Sequence, residues 1–165
     1  MESLPDPTEL LQLIVEVSIA LAGFAGIVVA ISSRGAASLS PIQKLNLTNL
    51  LATSFAALFL SLITLTAMSA DVPDHYVWAI TSGLGFVGMI FFAIRSINTV
   101  VKQSSNTAAA RRVLLAINLP LSIVCIAQLY NVLVLQAFWP TFVLMSAFFA
   151  VGCYSFVRLL FAEKI

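Results

Sequence analysis

The chain has 165 residues, of which 61% are hydrophobic and 9% charged, with a mean hydropathy of +1.05. A soluble globular domain carries about a quarter charged residues, so this composition excludes that class and points to a protein made mostly of membrane spans. The formal net charge of +1 sets nucleic acid aside as a partner, since the basic residues stand at the ends of apolar runs rather than in a patch.

Five apolar segments follow one another, each near the roughly 20 residues that cross the hydrocarbon. The pattern predicts an all-α, polytopic integral membrane helix bundle, a single transmembrane domain over 1–165 with helices at 8–32, 41–70, 75–101, 107–136 and 138–162. Asp6 or Thr8 can cap the first helix, with Pro7 in its opening turn. The residues before it carry Glu2, Asp6 and Glu9 and no Lys or Arg, the reverse of a secretory leader, so this span is expected to persist in the mature protein.

A short loop with Arg34 and Gly35 leads to Ser40, Pro41, Ile42 and Gln43. Here Ser40 and Gln43 form a capping box and Pro41 fits the first turn. The second helix is broken at Asp71, Val72, Pro73 and Asp74, where Pro disfavours helix in the preceding residue. The third helix ends in the polar segment 102–106, and Asn106 or Thr107 can cap the fourth. Within that helix Pro120 removes the hydrogen bond to the Ala116 carbonyl, which predicts a kink beside Asn118. No charge occurs between Arg112 and Arg158, a run too long for one span, and 136–140 is the turn that divides it.

The basic residues fall at Arg34 and Lys44, at Arg95, Lys102, Arg111 and Arg112, and at Arg158 and Lys164. Placing those loops in the cytoplasm gives five spans with the N-terminus outside and the C-terminus cytoplasmic. Tyr76, Trp78 and Trp139 then fall at the outer interface, where amphipathic rings settle. The run 20–31, built from Ala, Gly and branched residues, is of a kind common in small bacterial membrane proteins. The bacterial inner membrane is the expected location.

Glu16 stands within the first apolar run, where an ionised side chain costs about 2.5 to 3.5 kcal/mol on insertion scales. Glu9, Gln12 and Glu16 share one helix face by their spacing of three and four. As a functional feature they form an acidic lining that attracts cations or relays protons. As a structural one, Glu16 is protonated or hydrogen-bonded to a neighbouring helix, with Gln128, Asn131, Thr81 and Ser82 as candidate partners. Ser18, Ala22, Gly26 and Ala30 recur every four residues beside that face and predict close helix packing, as do Gly85 and Gly88 with Gly83 in the third helix.

The second helix has a polar face at Asn46, Asn49 and Thr53 that continues to Leu60 and Thr64. In the fourth, Asn118, Ser122 and Cys125 occupy one sector with Gln128 at its edge. Such groups serve as interhelical glue or, where Asn46, Asn49, Arg95, Asn98, Asn118 and Arg158 meet, as a hydrated vestibule. The aromatic residues Phe138, Phe142, Phe148, Phe149 and Phe156 surround the fifth helix as a lipid-facing set.

Absent chemistry narrows the function further. His75 is the single histidine and sits in a loop, so haem and metal ligation within one chain are unsupported and no cofactor is expected. Lys44, Lys102 and Lys164 all lie at span ends, which leaves no mid-membrane amine for a Schiff base. An enzyme is not expected. The leading expectation is a homo-oligomeric channel or small-solute pore lined by the first-helix acids and the polar faces of helices two and four. The alternative is a structural or accessory subunit docked on partner membrane subunits. Membrane lipid surrounds the chain in either case.

Overall fold

A computed structural model describes residues 6–31, 41–103 and 120–161. Its elements are α1 (Pro7–Ile31), α2 (Pro41–Ser69), α3 (Asp74–Gln103), α4 (Pro120–Leu135) and α5 (Phe138–Phe161), and the last turn of α4, Asn131–Leu135, is a π-helix. There is no strand among the described residues. Helices α1, α2, α3 and α5 are long and apolar enough to cross a membrane, and α4, as far as it is described, is shorter. Helices suit that medium because every backbone group finds its partner inside its own segment.

The helix ends follow from local chemistry. Asp6 Oδ1 accepts the Thr8 N–H at 3.0 Å, which makes Asp6 the cap and Pro7 the first helical residue. After α2 the Ala70 N–H reaches the Thr66 carbonyl at 3.1 Å, and Asp71 then takes a left-handed backbone, φ 55°. Asp tolerates that conformation better than most side chains. The Pro73 carbonyl accepts Tyr76 N–H at 2.9 Å and Val77 N–H at 3.2 Å and so opens α3. The expected caps at Ser40 and at Asn106 or Thr107, and the lost bond between Pro120 and Ala116, lie outside the described residues.

The chain divides into two compact units. The first holds α1, α2 and α5 from Met145 onward. Its core is Leu21 and Ala25 of α1 against Leu50 of α2, surrounded by Leu47, Leu51, Cys153 and Phe156. The Phe24 and Phe156 rings lie 6.0 Å apart. Gly152 of α5 marks the tightest approach, because a Cβ there would stand 3.1 Å from Thr53 Oγ1 and 3.5 Å from Leu21 Cδ1. The second unit holds α3, α4 and α5 up to Leu144. Here Trp78 meets Phe138 edge-on at 5.2 Å, and Gly83 faces Val132 at a distance where a Cβ would make ordinary contact, 3.9 Å.

One sequence expectation changes on this framework. The aromatic set of α5 is not uniformly lipid-facing, because Phe148 is buried. Trp78 packs its ring against Phe138 and is buried, whereas Tyr76 and Trp139 are exposed. Both cysteines are free.

Gly152→Leu forces branched carbons onto Thr53 and Leu21 and should lower stability by about 1 to 3 kcal/mol. Gly88 is exposed and a Cβ there meets nothing. Gly88→Leu should therefore stay within about 0.5 kcal/mol of wild type, and thermal unfolding of the two variants in detergent compares them directly.

Candidate functional site

Two groups of polar side chains stand out, one turned inward and one outward. The inward group lies in the unit of α3, α4 and the start of α5, around the turn that joins α4 to α5. Asn131 opens the π-turn, and its carbonyl accepts the Gln136 N–H at 2.8 Å, five residues on. Gln136 is left-handed, φ 48° and ψ 44°, which ends the helix without a glycine. The Asn131 side chain then takes over the backbone groups of the turn. Its Oδ1 accepts the Ala137 N–H at 3.0 Å and its Nδ2 donates to the Ala137 carbonyl at 3.0 Å. This double pairing sets the amide orientation, since a flipped amide would oppose donor to donor and acceptor to acceptor.

The same Nδ2 donates to Ser82 Oγ of α3 at 2.7 Å and, more weakly, to Thr141 Oγ1 of α5 at 3.4 Å. Ser82 and Thr141 share a hydrogen bond of 2.9 Å. One turn earlier on α4, Gln128 Nε2 donates to the Pro140 carbonyl at 2.7 Å. Gln128, Asn131, Ser82 and Thr141 are all fully buried. Three helices are thus joined by one continuous polar cluster. The Gln128 Oε1 atom is its loose end, buried and without a hydrogen-bond donor.

These bonds bear on the expected partners of Glu16. Gln128 donates to the Pro140 carbonyl, Asn131 donates to Ser82, and Thr81 donates to the Val77 carbonyl at 2.8 Å. Ser122 of the same helix is exposed, and Asn118 lies outside the described residues. Thr141 and the Pro140 carbonyl are members of the cluster that sequence reading missed. Their only signal was position, at the start of a helix directly after a buried turn.

The polar face of α2 also points inward. Asn46, Thr53, Ser54, Ser61 and Thr64 are buried and Asn49 is half-buried. Thr53 Oγ1 donates to the Asn49 carbonyl at 2.9 Å, Thr64 Oγ1 to the Leu60 carbonyl at 2.7 Å, and Ser61 Oγ lies 3.4 Å from Met145 Sδ. Hydroxyls bound to their own helix make compact packing surfaces. The Asn46 Nδ2 and Ser54 Oγ atoms are buried without a partner. Of the residues expected in a vestibule, Arg95, Asn98 and Arg158 are exposed, and Arg158 stacks over the Tyr154 ring at 5.9 Å.

The outward group is on α1. Glu9, Gln12 and Glu16 are all exposed, and so are Ala20, Gly23, Ile27 and Ala30. Spacings of three and four place these seven residues on one straight seam. Glu16 lies about 14 Å along the helix from Pro7 at 1.5 Å per residue, flanked by exposed Leu13 and Ile19. A Cβ at Gly23 or Gly26 would meet nothing. The expected stripe of Ser18, Ala22, Gly26 and Ala30 does not keep to one face: Ser18 is buried, Ala22 half-buried, and Gly26 and Ala30 exposed. Steps of four advance 400° and turn the stripe by about 40° each time. In α3, Gly85 is buried and Gly88 exposed.

Among the described residues no three His, Cys, Asp or Glu side chains gather as a metal site. Comparison with protein-family models, with curated proteins and with solved structures returns no match.

Replacing Asn131 by Leu strands the Ala137 N–H and carbonyl and removes the link to Ser82. A loss of about 2 to 4 kcal/mol is expected, against about 0.5 to 2 kcal/mol for Ser82→Ala, which deletes one interhelical bond. Equal stability of Asn131→Leu and wild type in detergent unfolding would remove the cluster from its structural role.

Proposed function

We propose that this chain is a five-span membrane protein of the bacterial inner membrane, N-terminus outside, that assembles with copies of itself through α1 into a cation-conducting pore. The observation that carries the reading is the α1 seam, with Glu9, Gln12 and Glu16 exposed at one end and Ala20, Gly23, Ile27 and Ala30 at the other. A carboxyl turned toward hydrocarbon gains from any arrangement that gives it water or a hydrogen-bond partner. Small residues further along the seam let another helix approach closely. Several copies of α1 around an axis meet both needs, with a ring of carboxyls at the level of Glu16 that selects cations. Asn46 and Thr53 of α2 and Gln128 and Asn131 of α4 turn inward. They support the scaffold in this reading, and the conduction path runs between copies.

A second reading rests on the same seam. A different membrane subunit could cover it, with a basic or amide side chain opposite Glu16, and the chain would then be an accessory subunit of a larger complex. Native gels after mild extraction separate the two, because a single-component ring supports the pore and co-migration with other chains supports the subunit.

Gly23→Leu should weaken self-association by about tenfold or more, equal to about 1.4 kcal/mol, without lowering protomer stability. Glu16→Gln should reduce cation conductance in planar bilayers. A wild-type protein that conducts nothing, or a Glu16→Gln variant that conducts unchanged, defeats the pore. Reporter fusions at the C-terminus check the orientation, with cytoplasmic signal expected.

A further inference from the structure

The polar cluster at the α4 to α5 turn leaves one buried acceptor unserved. Gln128 is fully buried, and its amide is held in one orientation because Nε2 donates to the Pro140 carbonyl at 2.7 Å. Flipping it would set two carbonyl oxygens against each other. The Oε1 atom is consequently committed to a position where no protein group donates to it. The neighbouring donors are engaged elsewhere. Asn131 Nδ2 serves Ser82, Ala137 and Thr141, and the Thr81 hydroxyl serves Val77. Of the two hydroxyl hydrogens on Ser82 and Thr141, their mutual bond uses one.

We infer that an internal water molecule is bound at Gln128 Oε1, donating to that oxygen and tied to the Ser82–Thr141 hydroxyl pair. Water fits because it both donates and accepts, and because a buried water needs two to four polar partners. A monovalent cation fits less well: Asn131 directs amide hydrogens into the cluster, and the Pro140 carbonyl already faces an N–H. Lipid is shut out by the burial of all four side chains.

Proton-detected NMR of the full-length protein in lipid bilayers tests this through magnetisation transfer from water to the Gln128 side-chain amide. Wild type should show the transfer, and Gln128→Met, which fills similar volume without an acceptor, should lose it at the Asn131 amide as well while the Asn131 resonances stay in place. Absence of transfer in wild type overturns the proposal. So does a Gln128 shift that appears in sodium and vanishes in choline, which would make the occupant a cation. If Gln128→Met does not fold, the wild-type transfer and the sodium comparison still decide the matter.

Discussion

The α4 to α5 turn depends on one side chain behaving as backbone. A turn at the end of a helix releases carbonyls and N–H groups, and in a low-dielectric medium each unpaired one costs several kcal/mol. Asn131 answers this by pairing both polar atoms of its amide with the N–H and carbonyl of Ala137. The π-turn brings the two residues into register by closing Gln136 N–H onto the Asn131 carbonyl. Since the same amide also reaches Ser82 and Thr141, closing the turn and docking α3 against α5 are a single event. A polar cluster of this kind is worth more than its separate bonds, because losing one member exposes the others.

The other unit solves the same problem in another way. Its inward hydroxyls on α2 bond to carbonyls of their own helix, so they need little from neighbours and occupy little space. That economy is what lets Gly152 come within van der Waals reach of Thr53, Leu21 and Leu50. Small residues and self-bonded hydroxyls gain packing contact where no hydrophobic force favours protein over lipid. Asn46 and Ser54 depart from this pattern, with buried polar atoms that have no partner.

Helix breaks were legible in the sequence because they rest on local chemistry. Asp6 before Pro7, the Asp71 to Asp74 break and the 136–140 turn each fall within a residue or two of where caps and prolines put them. Helix faces were much less legible. In water an amphipathic stripe shows which side is buried, but lipid is as apolar as a protein core, so both sides of a span look alike. Trp78, Phe148 and Gly152 could not be told from lipid-facing neighbours for that reason. Spacing also misled where it was only approximate: a step of four carries Ser18 inside and Ala30 outside on the same helix.

Polar residues inherit this ambiguity, and their neighbours resolve it. Gln128 and Asn131 are three apart on α4 and enter a cluster, while Ser122 on the same helix faces out. In that cluster each side chain has a hydroxyl, amide or carbonyl of another element within hydrogen-bond reach, supplied by residues such as Thr141 whose role is invisible without the fold. Glu16 is the opposite case. Exposed Leu13, Ile19 and Ala20 flank it on its own helix, Gln12 stands one turn before it, and it is itself exposed. On the function proposed above, such a carboxyl is stabilised by water or by a second copy of the chain. Ala20, Gly23 and Ala30 further along the seam are what the proposed assembly uses, because small side chains let a second helix approach closely.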